Sequence, residues 1–258
     1  MPKRNGEVVM QFPKMILFDY GETLVHEGTF DGIKGIEEVL KYAVKNKYNK
    51  TAREIYQVAE KINEDLGRFD PKRKHLFQFE VTSVSFYSYL YESQGISLSI
   101  PYEEVETIFW NASANGVAMK GIRELLEFLK TKKIRTGVVS NISYRGETLK
   151  KHIHELIPNE EFEFFIASSD YVFRKPNKRI FELALEKACL EPNEVWYCGD
   201  QYECDIVGAK KVGLTPIWIS EEKGVKADYN GVIISAWDEL RKLVLEKENA
   251  IKNGGIIG

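Results

Sequence analysis

Residues 15–24 read Met-Ile-Leu-Phe-Asp-Tyr-Gly-Glu-Thr-Leu, an apolar run that stops on a carboxylate. Four consecutive apolar residues followed by Asp, Gly and Thr predict a buried strand emptying into a polar turn, with Asp19 at the strand's carboxyl end. Ligands of open α/β sheets bind at that end. An aspartate can also simply end a strand or cap the next element, so the meaning of Asp19 depends on the rest of the chain.

Beyond Leu24 the apolar spacing turns helical. Asp31 is placed to cap a helix carrying Ile33, Ile36, Val39, Leu40, Ala43 and Val44, and Thr51 precedes a second with Ile55, Val58, Ala59, Ile62 and Leu66 on one face. A third helix is expected over 81–93 and a fourth after Pro101. No alternating pattern interrupts residues 31–112, so this block reads as an all-helical domain inserted after the first strand. From Gly121 onward strands and helices take turns. Strands are expected over 134–139, 162–167, 195–198, 215–219 and 232–234, with helices over 121–132, 146–156, after Pro176, over 205–211 and from about 236. That alternation predicts an α/β chain with a Rossmann-like parallel sheet. The expected organisation is core over 14–27, helical cap over 28–118 and core again over 119–250.

Composition narrows the function classes. The 258 residues, 43% apolar and 12% aromatic, suffice for a packed core. A net charge of -3 offers no basic surplus for nucleic acid and no acidic excess for disorder, which points to a small-molecule partner. Cys189, Cys198 and Cys204 are odd in number and lack C-x-x-C spacing, as expected of reduced thiols in a cytoplasmic protein. No apolar run approaches the ~20 residues that span a bilayer, so no membrane partner is expected, and the residues before Asp19 do not resemble a charged start followed by an apolar secretion core. Residues 1–13 and 253–258 are expected to be loose ends. Nothing in the sequence marks an oligomeric state.

Four features fall at strand ends or helix entrances: Asp19, Ser140, Lys175, and the pair Asp200 and Asp205. Carboxylates gathered at one sheet edge repel each other by roughly 4 kcal/mol at 4 Å and an effective dielectric of 20. A hard dication removes the conflict, and Mg2+ suits all-oxygen ligands and arrives with phosphates. Lys175 would screen the nucleophile from the phosphate it attacks, while Ser140 and nearby main-chain N–H groups would hold a phosphoryl oxygen. Asn141 is placed to bond nucleophile or phosphate, or to serve the turn.

The segments FDYGETL at 18–24, VVSN at 138–141, RKPNKRIF at 174–181 and YCGDQYECDIVGAKKVG at 197–213 resemble, in order and spacing, the haloacid dehalogenase-like hydrolase superfamily, in the branch with a helical cap after the first motif. The resemblance covers about residues 14–247. It implies a Mg2+-dependent phosphohydrolase with a mobile cap, acting on a small phosphorylated metabolite. The aspartate matching Asp19 would attack phosphorus to give an aspartyl-phosphate that water cleaves. The implied Mg2+ ligands are the Asp19 carboxylate, the Gly21 main-chain carbonyl and Asp200, with Asp205 behind them or on a metal-bound water. Ser140 and Lys175 keep the roles given above.

One position departs from the family pattern. Phosphatases of the family carry a second aspartate two residues after the nucleophile as general acid and base, and here that residue is Gly21. Such a group is typically worth ~10²- to 10⁴-fold, or about 3 to 5.5 kcal/mol. Glu22, His26 or Glu203 could replace it, the leaving group could need no proton, or the chemistry could differ. A phosphonate-cleaving relative also lacks that aspartate and uses a cap lysine, a role that Lys34, Lys41, Lys45 and Lys47 fit no better than that of solvent-facing helix residues. A non-catalytic phosphate-binding or regulatory protein is the third reading. Carbon–halogen hydrolysis is disfavoured, because that branch lacks the acidic pair Asp200 and Asp205. In the cap, Phe86, Tyr87, Tyr89, Tyr91, Phe109 and Trp110 are expected to pack the core, with one or two facing substrate. The run Lys72-Arg73-Lys74-His75 reads as a solvated loop or an anion-steering patch.

Overall fold

In the computed structural model, which describes residues 10–67, 79–114, 116–159, 161–220 and 229–254, β1 (Met15–Phe18) is buried along its whole length. The basic run at 72–75 and the chain ends at 1–9 and 255–258 lie outside the described residues. After β1 the chain passes a short β2 (Val25–His26) into an inserted block and returns through β5 (Val117–Ala118). The block comprises α1 (Gly32–Leu40), β3 (Ala43–Asn46), α2 (Ala52–Asp65), α3 (Ser83–Ser93), β4 (Ile96–Leu98) and α4 (Tyr102–Ser113). The remainder alternates: α5 (Ile122–Thr131), β6 (Arg135–Ser140), α6 (Gly146–Leu156), β7 (Phe165–Ala167), α7 (Ser168–Tyr171), α8 (Lys178–Ala188), β8 (Val195–Gly199). A π-helical turn (Tyr202–Val207) then runs into α9 (Gly208–Lys211), followed by β9 (Thr215–Ile219), β10 (Val232–Ile234) and α10 (Trp237–Gly254).

Six strands form one parallel sheet in the order β10-β9-β8-β1-β6-β7. The chain moves outward through β6 and β7 on one side of β1, then through β8, β9 and β10 on the other. The crevice at the carboxyl ends of β1 and β8 is therefore a topological switch point. The two-residue alternation of β1 divides the core: Ile16 and Phe18 pack with Leu125, Trp196 and Trp237, while Met15 and Leu17 pack with Val139, Phe181 and Tyr197.

The expected α/β sheet is present, but the inserted block is not purely helical. Ala43 and Val44, expected on the first helix, lie in β3, which pairs antiparallel with β4. Two local causes end α1 early. Its apolar face is complete with Ile36 and Val39, both buried, whereas Val44 is 69% exposed and has no core to join. The Asn46 side chain also bonds both main-chain groups of Lys50, at 2.9 Å each, and so closes a turn that competes with helix. A separate cluster holds the block together around Ile36, Ile55, Tyr87, Leu90, Val105 and Phe109. The block is tied to the core by fully buried Glu106, which accepts hydrogen bonds from Ser83, from Thr148 at 2.8 Å and from Arg145 at 3.0 Å.

Beneath this junction His152 stacks on Trp110, with ring centroids 4.1 Å apart, and meets Tyr20 edge-on. Neither ring nitrogen has a hydrogen-bond partner, and burial pushes the imidazole pKa down to about 4. The folded state therefore holds it neutral where the unfolded chain would protonate it. Its contribution is complete above the unfolded value near 6.5, declines as pH falls from there, and is gone below about 4. We expect a loss of roughly 3 kcal/mol across that window, at 1.36 kcal/mol per unit. Urea midpoints measured between pH 7 and 4 should fall less steeply for His152→Leu than for the wild type, and equal slopes would refute this.

Candidate active site

Asp19 directly follows β1, and its N–H continues the ladder to the carbonyl of Cys198 at 2.9 Å. Ser140 ends β6 and Asp200 follows β8, so three adjacent strands deliver three polar residues to one edge, as the sequence predicts. Lys175, from the segment before α8, is buried among them. Its ammonium reaches Asp19 Oδ1 at 2.8 Å, Asp205 Oδ1 at 2.6 Å and the Tyr197 hydroxyl at 2.8 Å, three acceptors for three protons. Burial alone would lower the pKa of this ammonium. Asp19 and Asp205 more than reverse that, and the lysine stays charged.

Asp205 is fully buried. It lies inside the π-helical turn, not at the start of a helix, and its Oδ2 accepts the Gln201 N–H at 2.9 Å. Burial raises its pKa and Lys175 opposes the rise. Gly199 makes room for it: a Cβ there would lie 2.4 Å from the Asp205 carboxyl carbon. Asp200 is in a different situation. Its Oδ1 is buried without a hydrogen-bond partner, and burial, then Asp19 and Asp205, push its pKa up to about 7. Oxygens of Asp19, Asp200 and Asp205 all lie within 4.8 Å of one another. An orphaned carboxylate oxygen beside two further carboxylates is an all-oxygen donor set that fits a hard dication.

Asn141, expected to bond nucleophile or phosphate or to serve the turn, grips the lysine's main chain. Its Nδ2 donates to the Lys175 carbonyl at 2.9 Å and its Oδ1 accepts the Lys175 N–H at 2.7 Å. That bidentate clamp fixes where the ammonium starts from. Tyr197, whose hydroxyl completes the lysine's acceptors and approaches Val139 O at 3.0 Å, carries no mark of this role in the sequence. Within an apolar strand it reads as a core aromatic.

The groups that could substitute for the missing aspartate differ in where they lie. Glu22 and His26 pair with each other at 2.7 Å at exposed positions, and Glu22 Oε1 accepts the Glu27 N–H at 3.1 Å. Glu203 is exposed. Glu27, which no sequence motif marks, lines a 120 Å³ pocket together with Asp19, Glu22, Ser140, Lys175 and Asp200. The residue is exposed along part of its length, but its carboxyl end turns inward, where burial and then Asp19 raise its pKa. Six residues back, a Cβ on Gly21 would lie 2.9 Å from Glu27 Oε2.

A cavity of about 940 Å³ between the inserted block and the sheet shares Asn141, Lys175 and Cys204 with this pocket. Phe30, Tyr56, Phe86, Tyr87, Phe109 and Tyr144 line it. Of the cap aromatics, Tyr91 and Trp110 are core residues and Tyr89 is 64% exposed, while Phe86, Tyr87 and Phe109 face the cavity. Lys34, Lys41, Lys45 and Lys47 are all exposed and none lines either space. None of the three cysteines is in a disulfide.

A family model described as haloacid dehalogenase-like hydrolase matches residues 13–213. Glyceraldehyde 3-phosphate phosphatase of Pyrococcus furiosus is 31% identical over 136 residues, which are 50% of this chain and 55% of that protein. Pyrimidine 5'-nucleotidase YjjG of Escherichia coli is 26% identical over 208 residues, 80% of this chain and 85% of the other. The chain spans about half, or less, of the length of several of the curated relatives it matches. The crystal structure of a HAD phosphatase from Thermococcus onnurineus shares the fold, with a TM-score of 0.58 over 89% of this chain and 97% of that one at 23% identity. The matched stretch contains Asp19, Ser140, Lys175, Asp200 and Asp205 in the spacing that brings them to one edge, and the chain belongs to the haloacid dehalogenase-like hydrolases.

Proposed function

We propose that this hydrolase is a Mg2+-dependent phosphatase of small phosphorylated metabolites that works through an aspartyl-phosphate on Asp19. The observation that carries the reading is the juxtaposition of the Asp19 carboxylate, the orphaned Asp200 Oδ1 and the charged, fully bonded Lys175. Both contacts of Asp19, from the Tyr20 N–H at 2.7 Å and from Lys175, fall on Oδ1, which leaves Oδ2 for phosphorus. Mg2+, held by Asp19 and Asp200 with the Gly21 carbonyl, would supply positive charge opposite the phosphoryl oxygens. Lys175 keeps the nucleophile from repelling the incoming dianion, and the hydroxyl of Ser140, a residue only 3% exposed, would bond a phosphoryl oxygen. The larger cavity has the size of a metabolite site and takes the leaving group. The relatives named as a triose-phosphate phosphatase and a nucleotidase support the same substrate class. Among the described residues, no helix is long and apolar enough to cross a membrane; three cysteines outside any disulfide fit a reducing, cytoplasmic setting.

The test is phosphate release from a panel of triose phosphates, sugar phosphates and nucleoside monophosphates. With Mg2+ at least one should be turned over, EDTA should lower that rate at least tenfold, and added Mg2+ should restore it. A rate indifferent to EDTA, or no release across the panel, overturns the proposal.

A further inference from the structure

Gly21 sits where the family's phosphatases carry an aspartate, yet its backbone does not need a glycine: it is absent from the residues with positive φ. What matters at 21 is therefore the missing side chain. A Cβ built there would lie 2.9, 3.3 and 3.8 Å from Oε2, Cδ and Cγ of Glu27. The carboxyl end of Glu27 thus fills the volume that a side chain at 21 would claim. An aspartate's own oxygens lie only two bonds beyond its Cβ, so Glu27 Oε2 stands close to where they would be. Gly21 and Glu27 are complementary, since the glycine admits a carboxylate that any larger residue would displace.

Three features hold Glu27 in that place. It follows β2, whose Val25 and His26 pair with Ala118 and Val117 of β5, so the segment is anchored where the chain enters and leaves the inserted block. Its N–H is accepted by Glu22 Oε1, and Glu22 Oε2 is in turn bonded to His26 at 2.7 Å. Glu22 itself has a left-handed backbone, φ 50°, which folds its carboxylate over the turn. Glu22 and Glu27 both line the pocket that Asp19 lines, but the two Glu22 oxygens are taken by His26 and by the Glu27 N–H, which makes Glu22 a positioning residue, whereas Glu27 Oε2 is the oxygen beside position 21.

We propose that Glu27 is the general acid and base of this enzyme, supplying through space what position 21 lacks. The assignment rests on the phosphatase reading above. In the first half-reaction an Asp19 oxygen bonds to phosphorus, the bond from phosphorus to the leaving oxygen breaks, and that oxygen takes its electron pair and the Glu27 proton. In the second, water bonds to phosphorus as Glu27 takes its proton, and the pair of the breaking Asp19–phosphorus bond returns to the aspartate. Glu27 ends protonated as it began, and inorganic phosphate leaves.

Glu27→Gln, in the full chain with Mg2+, tests this with two substrates: the best alkyl phosphate of the wild type, and p-nitrophenyl phosphate, whose leaving group departs as an anion. On the alkyl phosphate kcat should fall ~10²- to 10⁴-fold. On the aryl phosphate a rapid burst near one nitrophenol per enzyme should survive, followed by slow turnover, because only the second half-reaction still needs the carboxylate. A loss under tenfold on the alkyl phosphate, or equal losses on both without a burst, overturns the assignment. As a second variant, Gly21→Asp/Glu27→Ala should be at least tenfold faster than Glu27→Ala, and a folded double variant no faster would count against it. If the wild type shows no release that depends on Asp19, the phosphatase reading itself fails and this assignment falls with it. If it does and Glu27→Gln matches it, only the role of Glu27 is lost.

Discussion

Asp19→Asn should abolish phosphate release and leave the fold intact. Removing the nucleophile of a covalent mechanism costs on the order of 10⁵- to 10⁶-fold, because the remaining groups have no bond-forming partner to assist. The substitution is also unusually mild for the structure. An asparagine keeps an Oδ1 able to accept from the Tyr20 N–H and from Lys175, now at 2.7 and 2.8 Å, and it removes one negative charge from a cluster whose oxygens lie within 4.8 Å of each other. Repulsion within that cluster, which adds to burial in pushing Asp200 up to about 7, is thereby relieved. The melting temperature should stay level or rise while kcat on the best substrate vanishes. A variant that keeps more than about a hundredth of the wild-type rate would place the nucleophile elsewhere, since that residual rate exceeds what groups left behind supply.

The parts of this site that the sequence discloses are those set by local pattern. Asp19, Ser140 and Asp200 each end an apolar run, and a buried parallel strand leaves little choice about where its last residue emerges. The sheet follows from the alternation after Gly121 for the same reason. What stays hidden depends on contacts between segments. The strands β2, β3, β4 and β5 have two to four residues, too few for a two-residue period to register. Asn141 looks like a substrate ligand by its place at a strand end, and only the path of the 174–176 segment reveals that its amide faces the Lys175 main chain. Tyr197 is concealed by its neighbours, because an inward tyrosine and an inward phenylalanine read alike until a lysine arrives beneath the hydroxyl. Glu27 is hidden by a turn. The available signal was a glycine with no conformational reason to be one, followed within the same loop by two carboxylates, of which the nearer is the more conspicuous and the farther turns its carboxyl end toward position 21.

Lys175→Met should destabilise the protein by about 3–5 kcal/mol, the usual cost of removing one member of a buried ionic group. Methionine nearly conserves the volume, so the loss measures charge. Without the ammonium, fully buried Asp205 keeps only the Gln201 N–H at 2.9 Å and the Tyr197 hydroxyl at 3.2 Å, and Asp19 keeps only the Tyr20 N–H. At roughly 2–4 °C per kcal/mol for a chain of this size, the melting temperature should drop by roughly 6–20 °C. Activity should fall as well, on the order of 10²- to 10³-fold, as for loss of one preorganised donor. Two further measurements separate charge from packing. Asp205→Asn placed on Lys175→Met should recover part of the stability, because it discharges the carboxylate the lysine had balanced, whereas a packing defect would be unaffected by it. Added Mg2+ should raise the melting temperature of Lys175→Met more than that of the wild type, since the variant's carboxylates lack an internal cation and bind an external one more tightly. If neither change moves the variant, the carboxylates are not in electrostatic contact with the lysine that touches them, and the case for a charged, divalent-ready cluster at the end of β1 is lost.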